Sequence, residues 1–166
     1  MHKTNKCFLL IFIICIFTLV YAYYSQYYNG ANPCPLCIAQ RIIIAIIGLL
    51  SFIFAILGFT GFLNKLFSLI IAVFAGFGIK LATHHLYLMN LPPDKQPLSC
   101  GMPLEILYQK MPLTGFLHYI LQGDAECGKV NWRIFGMSGP TAMIVLCAVI
   151  LILLTYNVFR NTKTRV

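Results

Sequence analysis

The chain has 166 residues, of which 60% are hydrophobic and 10% are charged. A soluble domain carries about 25% charged residues, so this chain cannot clothe itself in polar surface, and lipid is its solvent. The net charge of +8 would point to nucleic acid in a soluble protein; in a lipid-embedded chain it meets head groups and sets orientation, and no nucleic-acid role is expected.

Four apolar runs are long enough to cross about 30 Å of hydrocarbon, and one domain over 1–166 is expected. The first run, 7–24, carries no charge. Its basic start (Lys3, Lys6) and Val20-Tyr21-Ala22 also fit a signal peptide; the reading taken is a retained span. A short loop, 25–41, follows and contains Asn32-Pro33-Cys34-Pro35-Leu36-Cys37. Cys-x-x-Cys spacing puts two thiols within disulfide reach at the start of the second membrane helix. Pro35 suits a first helical turn, where its missing N–H costs nothing, and a helix N-terminus stabilises a thiolate. Arg41 comes one turn after Cys37, so the two can share a face. A fixed positive charge there favours a Cys37 thiolate and an anionic acceptor. The plainer reading makes Arg41 an interface anchor.

The second run, 42–63, is uncharged, and Asn64-Lys65 reads as a tight link to the third, 66–83. Lys80, near the end of the third, can snorkel to the interface. A long connection, 84–137, holds two segments that read as short helices broken at Pro112: Leu104–Lys110 and Leu113–Gln122. The second sets Leu113, Phe116, Leu117, Ile120 and Leu121 on one face, which suits either the membrane surface or a docking partner. The fourth run, 138–159, is uncharged. None of the runs alternates like a barrel strand, so helices are the option in lipid. The expected fold is an all-α membrane protein: a four-helix transmembrane bundle with two outer loops, the second long and carrying short interfacial helices.

The loops set the orientation. Lys3, Lys6, Lys65, Arg160, Lys163 and Arg165 crowd into the two ends and the tight link, whereas Arg41, Lys95, Lys110, Lys129 and Arg133 are spread over far more chain. Long loops count little in the positive-inside rule. Both termini are therefore expected in the cytoplasm and both cysteine-bearing loops outside, in a periplasm.

Of seven cysteines, Cys7, Cys15 and Cys147 lie within apolar runs and read as small core residues. Cys34, Cys37, Cys100 and Cys127 lie in polar stretches on one side of the membrane, enough for two pairs. Zinc would need a second close pair or histidines. Cys100 and Cys127 are 27 positions apart, with His84, His85 and His118 as the possible contributors, and no metal is expected. A structural disulfide at Cys34 and Cys37, or a staple closing the long loop at Cys100 and Cys127, is the other bland reading. One pair at the membrane interface and one in an accessible loop is the arrangement a dithiol relay needs: an outer pair that meets a protein, an inner pair that meets a membrane-soluble acceptor.

Over its whole length the sequence resembles the bacterial disulfide bond formation protein DsbB family. NPCPLCIAQR at 32–41, GIKLATHHLYL at 78–88 and CGKVNWRIFGMSGP at 127–140 carry the resemblance, with Trp132, Gly136 and Pro140 where the family has them. It implies a quinone-dependent protein-disulfide oxidoreductase of the bacterial inner membrane. Such a protein reoxidises a DsbA-type periplasmic thioredoxin-fold oxidase and passes the electrons to ubiquinone or menaquinone. It further implies Cys34–Cys37 as the quinone-coupled pair and Cys100–Cys127 as the pair attacked by the partner, through Cys100. Arg41 and a histidine ending the third helix would stand near the quinone; spacing from Gly78 favours His85 over His84. Two other readings are a vitamin K epoxide reductase-like oxidoreductase, whose active pair would come late in the chain, and a non-enzymatic scaffold stapled by disulfides.

Overall fold

The computed structural model describes residues 3–28, 33–58, 61–92, 95, 112–123, 127, 133–134 and 136–163. Four long helices dominate it: α1 (Lys3–Tyr28), α2 (Pro35–Leu57), α3 (Phe62–Met89) and, after a ten-residue α4 (Leu113–Gln122), α5 (Gly139–Lys163). All four long helices are long and apolar enough to cross a membrane. With no water to satisfy backbone groups, a helix that closes its own hydrogen bonds is the structure such segments can adopt in lipid. The fold is an all-α membrane bundle.

In the bundle α1 packs mainly on α2 and α3 mainly on α5, with α2 also touching α3. Ile11, Cys15, Ile47, Ile71, Ala75, Cys147 and Ile150 fill the interior. Phe17, Phe62 and Phe159, each more than 70% exposed, lie on the outer face, where lipid contacts them. Cys15 and Cys147 are core residues, and half-buried Cys7 places its Sγ 3.4 Å from the Leu153 carbonyl of α5.

The helices outrun the apolar stretches that announce them. α2 begins at Pro35, as the Cys-x-x-Cys at a helix start implied, ahead of the apolar run that starts at Ile42, and α3 continues to Met89 rather than Thr83, carrying His84 and His85 inside its last turns. The tight link also moves. Gly58 takes a left-handed conformation (φ 64°) and caps α2 through its N–H to the Phe54 carbonyl, so α2 ends before Gly58 and α3 has begun by Phe62, ahead of Asn64-Lys65. Asn64 lies wholly buried in the first turns of α3, where its Oδ1 accepts from Asn157 Nδ2 of α5 at 3.3 Å. Such an amide pair is polar glue between membrane helices; read from sequence alone, Asn64 looked like a loop residue.

Of the two short helices expected in the long connection, Leu104–Lys110 lies outside the described residues, and Leu113–Gln122 forms α4 with those bounds. α4 does not merely lie at the surface: its C-terminal end docks on α2, with Ile120 buried. Gly123, at φ +74°, makes that docking possible. A Cβ there would stand 2.7 Å from Leu36 Cδ1 and 2.8 Å from Leu88 Cδ1. A small antiparallel hairpin, β1 (Arg133–Ile134) with β2 (Met137–Ser138), leads directly into α5. Four crossings put the starts of α2 and α5 at one end of the bundle, with the start of α1, the end of α2 and the end of α5 at the other.

Candidate functional site

The first turn of α2 presents the thiols. Cys34 is the N-cap residue in extended conformation (φ −73°, ψ 166°), Pro35 fills the first helical position, and the Cys37 N–H points at Cys34 Sγ at 3.4 Å. The cap thus does with sulfur what a serine oxygen does elsewhere, satisfying one of the unpaired donors of the first turn. The two sulfurs are 3.1 Å apart, a thiol–thiol hydrogen bond about 1 Å longer than a disulfide. Both residues are buried.

Two distant segments close over this turn. Cys127, from the long connection and wholly buried, hydrogen-bonds the Cys34 thiol. His85, near the end of α3 and also wholly buried, sets Nε2 3.6 Å from Cys34 Sγ and 3.3 Å from the Cys127 carbonyl oxygen. Its Nδ1 faces Gln40 Nε2 at 3.3 Å. With the Gln40 amide nitrogen donating to Nδ1, the ring proton sits on Nε2 and is donated to the Cys127 carbonyl. His84 points elsewhere, its Nε2 2.9 Å from the Gln122 carbonyl at the end of α4. Hydrogen bonding to Cys127, then to Cys37, and then burial push the Cys34 thiol up from its ordinary pKa. These oppose the pull of the helix N-terminus toward thiolate, and the dithiol form of Cys34 is neutral.

Arg41 lies one turn beyond Cys37 and reaches toward α1. Its Nη1 donates to Gln26 Oε1 at 2.5 Å and its Nη2 to the Ala22 carbonyl at 3.2 Å, with the guanidinium 5.1 Å from the centre of the Tyr23 ring. It is an interface anchor in that sense, yet it also lines a cleft with Cys37. Thr18 and Ala22 of α1, Cys37, Gln40, Arg41 and Ile44 of α2, and Gly139, Ala142 and Met143 of α5 surround that cleft. The cleft is mostly apolar, with a sulfur at one wall and a guanidinium at another. His85 is not among the cleft's lining residues; it stands behind the thiols and touches the cleft through Gln40.

Among the residues singled out in the sequence, the structure thus gathers Cys34, Cys37, Cys127 and His85 at one point, with Arg41 one turn away. Cys100 and Trp132 lie outside the described residues. Gln40 was overlooked by sequence reasoning. It is the one uncharged polar side chain between Cys37 and Ser51 on an otherwise apolar helix, and that isolation was the available signal.

Comparison with known proteins agrees with this picture. No solved structure is significantly similar. The chain is 32% identical over 156 residues to disulfide bond formation protein B of Marinobacter nauticus, covering 94% of this chain and 92% of that one. It is 35% identical over 145 residues to the protein of the same description in Methylococcus capsulatus, 87% of each chain. The counterpart in Xanthomonas campestris pv. campestris is 37% identical over 134 residues, 80% of this chain and 77% of its own. The family model for disulfide bond formation protein DsbB matches residues 4–157, and with its thiols held at one end of a four-helix membrane bundle the chain belongs to the DsbB family.

Proposed function

We propose that this disulfide oxidoreductase reoxidises a periplasmic dithiol protein of the DsbA type and delivers the electrons to a quinone in the inner membrane. The observation that carries the reading is the position of Cys34, whose thiol is hydrogen-bonded to Cys127 on one side and to Cys37 on the other. That is the geometry of a hand-off between the pair in the long loop and the pair at the membrane.

In the proposed sequence, a thiolate of the reduced partner attacks Cys100 in the Cys100–Cys127 disulfide, forming a mixed disulfide and releasing Cys127 as thiolate. Cys127 then attacks Cys34 in the Cys34–Cys37 disulfide; the Cys34–Cys127 bond forms and Cys37 leaves as thiolate. The partner's second thiol resolves the mixed disulfide, so the partner leaves oxidised and Cys100 is freed. Cys100 next attacks Cys127, restoring the outer disulfide and leaving Cys34 and Cys37 as the dithiol. Cys34 and Cys37 then close to a disulfide; a quinone held in the cleft would supply the two-electron, two-proton sink for that closure. Arg41, which lines the cleft beside Cys37, would stabilise a Cys37 thiolate and negative charge developing on a carbonyl oxygen in the cleft. The His85 Nε2–H is poised to donate to Cys34 Sγ when that sulfur becomes anionic. Gln40 fixes the ring's tautomer.

Placing the thiol-bearing end in the periplasm, with both termini cytoplasmic, follows from the density of basic residues at the ends and at Lys65. The test is oxidation of a reduced DsbA-type protein by the purified chain in detergent. It should require added quinone and be lost in Cys37→Ser. Partner oxidation that proceeds equally without quinone under anaerobic conditions would refute the reading.

A further inference from the structure

We propose that the reduced chain binds one thiophilic divalent cation of the zinc class between Cys34 Sγ, Cys37 Sγ and His85 Nε2. These three atoms lie within 4.8 Å of one another, and all three residues are buried. With metal–sulfur bonds of about 2.3 Å and metal–nitrogen bonds of about 2.05 Å, a tetrahedral site has edges of about 3.8 Å between sulfurs and about 3.6 Å between sulfur and nitrogen. The observed Cys34–His85 edge is 3.6 Å. The Cys34–Cys37 edge is 3.1 Å and must open by about 0.7 Å, which a small rotation about χ1 of either cysteine provides. α3 thus brings an imidazole to a metal-site distance from the dithiol. Spacing along the chain hid this, because the third ligand is 48 residues beyond Cys37 rather than in a second cysteine pair.

The surroundings fit a metal as well. The three protein ligands leave the fourth tetrahedral position to water. Ligation through Nε2 moves the ring proton to Nδ1 and releases the bond to the Cys127 carbonyl. Gln40, turned about its amide, then accepts a hydrogen bond from Nδ1–H through Oε1, as the polar partners of metal-bound histidines do. Each thiol that ligates gives its proton to solvent, and no electron moves. Sulfurs so held cannot close to a disulfide until the metal leaves, so the cation arrests the chain in its reduced form. This holds whether or not a quinone is the acceptor.

The experiment uses the full-length chain in detergent, reduced with a phosphine that is then removed. It is titrated with Zn2+ against a chromophoric chelator and, separately, with Co2+, whose thiolate charge-transfer bands report sulfur ligation. One cation per chain is expected, released when a diazenedicarboxamide oxidises the thiols. Second-shell changes at metal sites cost 10–100-fold in affinity, so loss of a ligand in Cys34→Ser or His85→Gln should cost on the order of 100-fold or more. His85→Cys, which returns a ligand, should recover binding. Replacing Cys7, Cys15 and Cys147 with Ala should leave it unchanged. Equal affinity in folded His85→Gln, failure of folded His85→Cys to bind, retention of metal by the oxidised chain, or loss of binding in the folded triple variant would each overturn the proposal.

Discussion

Gly123→Ala tests whether the docking of α4 delivers Cys127 to Cys34. The new Cβ would stand 2.7 Å from Leu36 Cδ1, 2.8 Å from Leu88 Cδ1 and 3.1 Å from Leu36 Cγ, whereas non-bonded carbons prefer about 3.5–4.0 Å. Overpacking of this kind costs about 1–3 kcal/mol. The backbone, at φ +74° and ψ 172°, is in a region open essentially to glycine and adds about 1–3 kcal/mol. Against this stands Ile120, whose burial contributes about 1.5–3 kcal/mol to the docking. The strain matches or exceeds the anchor, so the end of α4 should lift from Leu36 and Leu88, drawing Cys127, four residues on, away from Cys34. Since about 1.4 kcal/mol is tenfold in an equilibrium, oxidation of a reduced DsbA-type partner should slow at least about tenfold. Quinone reduction driven by a small dithiol acting directly on Cys34–Cys37 should be nearly unchanged. Gly115→Ala is the control: its Cβ would meet Pro112 at ordinary contact distance, Cγ at 3.7 Å and Cδ at 3.8 Å, and alanine within a helix is favoured by about 0.5–1 kcal/mol. Partner oxidation at the parent rate in folded Gly123→Ala would refute the coupling of α4 docking to thiol exchange.

Arg41→Ala should raise the KM for quinone and slow its reduction. It should also lower the melting temperature, because two charge-assisted hydrogen bonds to α1, each worth about 1.5–3 kcal/mol, are lost. Arg41→Lys should recover part of the quinone rate, and unchanged quinone kinetics in folded Arg41→Ala would leave Arg41 as an anchor alone. In the reduced chain, Cys34 should alkylate far more slowly at pH 7 than a free thiol, because hydrogen bonding to Cys127 and Cys37 and burial favour its neutral form. With its folded pKa raised, the stability it contributes is fully present below the unfolded value of about 8.5 and is lost as pH rises through the folded value. Mass-spectrometric labelling should therefore accelerate in alkali and in Cys127→Ala; labelling at the free-thiol rate at pH 7 would contradict the arrangement. Replacing Cys7, Cys15 and Cys147 with Ala should leave turnover within about tenfold, about 1.4 kcal/mol of barrier, while the cavities at Cys15 and Cys147 lower the melting temperature. A larger loss of turnover in folded protein would give one of them a role in the chemistry.

Local chemistry was legible in the sequence, and long-range packing was not. Cys34, Pro35, Cys37 and Arg41 span about two helical turns, and their relation follows from helix geometry alone. The four spans were visible because lipid demands long apolar runs. Their far limits were not, because backbone hydrogen bonding carries α3 past its apolar stretch, through His84-His85. Asn64 read as a turn because nothing local reveals the buried Asn157 that satisfies it, 93 positions later. For the same reason the approach of Cys127 to Cys34, and of Gln40 to His85, was beyond spacing arguments: each pair joins segments brought together only by the packing of α2, α3 and α4. Gly123 carries that packing, and a glycine before an acidic stretch looks like any loop glycine until its neighbours are known.

The most direct test of the account is whether Cys127 and Cys34 bond to each other when their usual partners are removed. In a Cys37→Ser, Cys100→Ser chain, mild oxidation in detergent should yield an intrachain disulfide joining Cys34 and Cys127, identified by mass spectrometry of the digested, unreduced protein. If that folded chain instead keeps both thiols free, or cross-links only between molecules, Cys127 does not hand electrons to Cys34 and the relay is refuted.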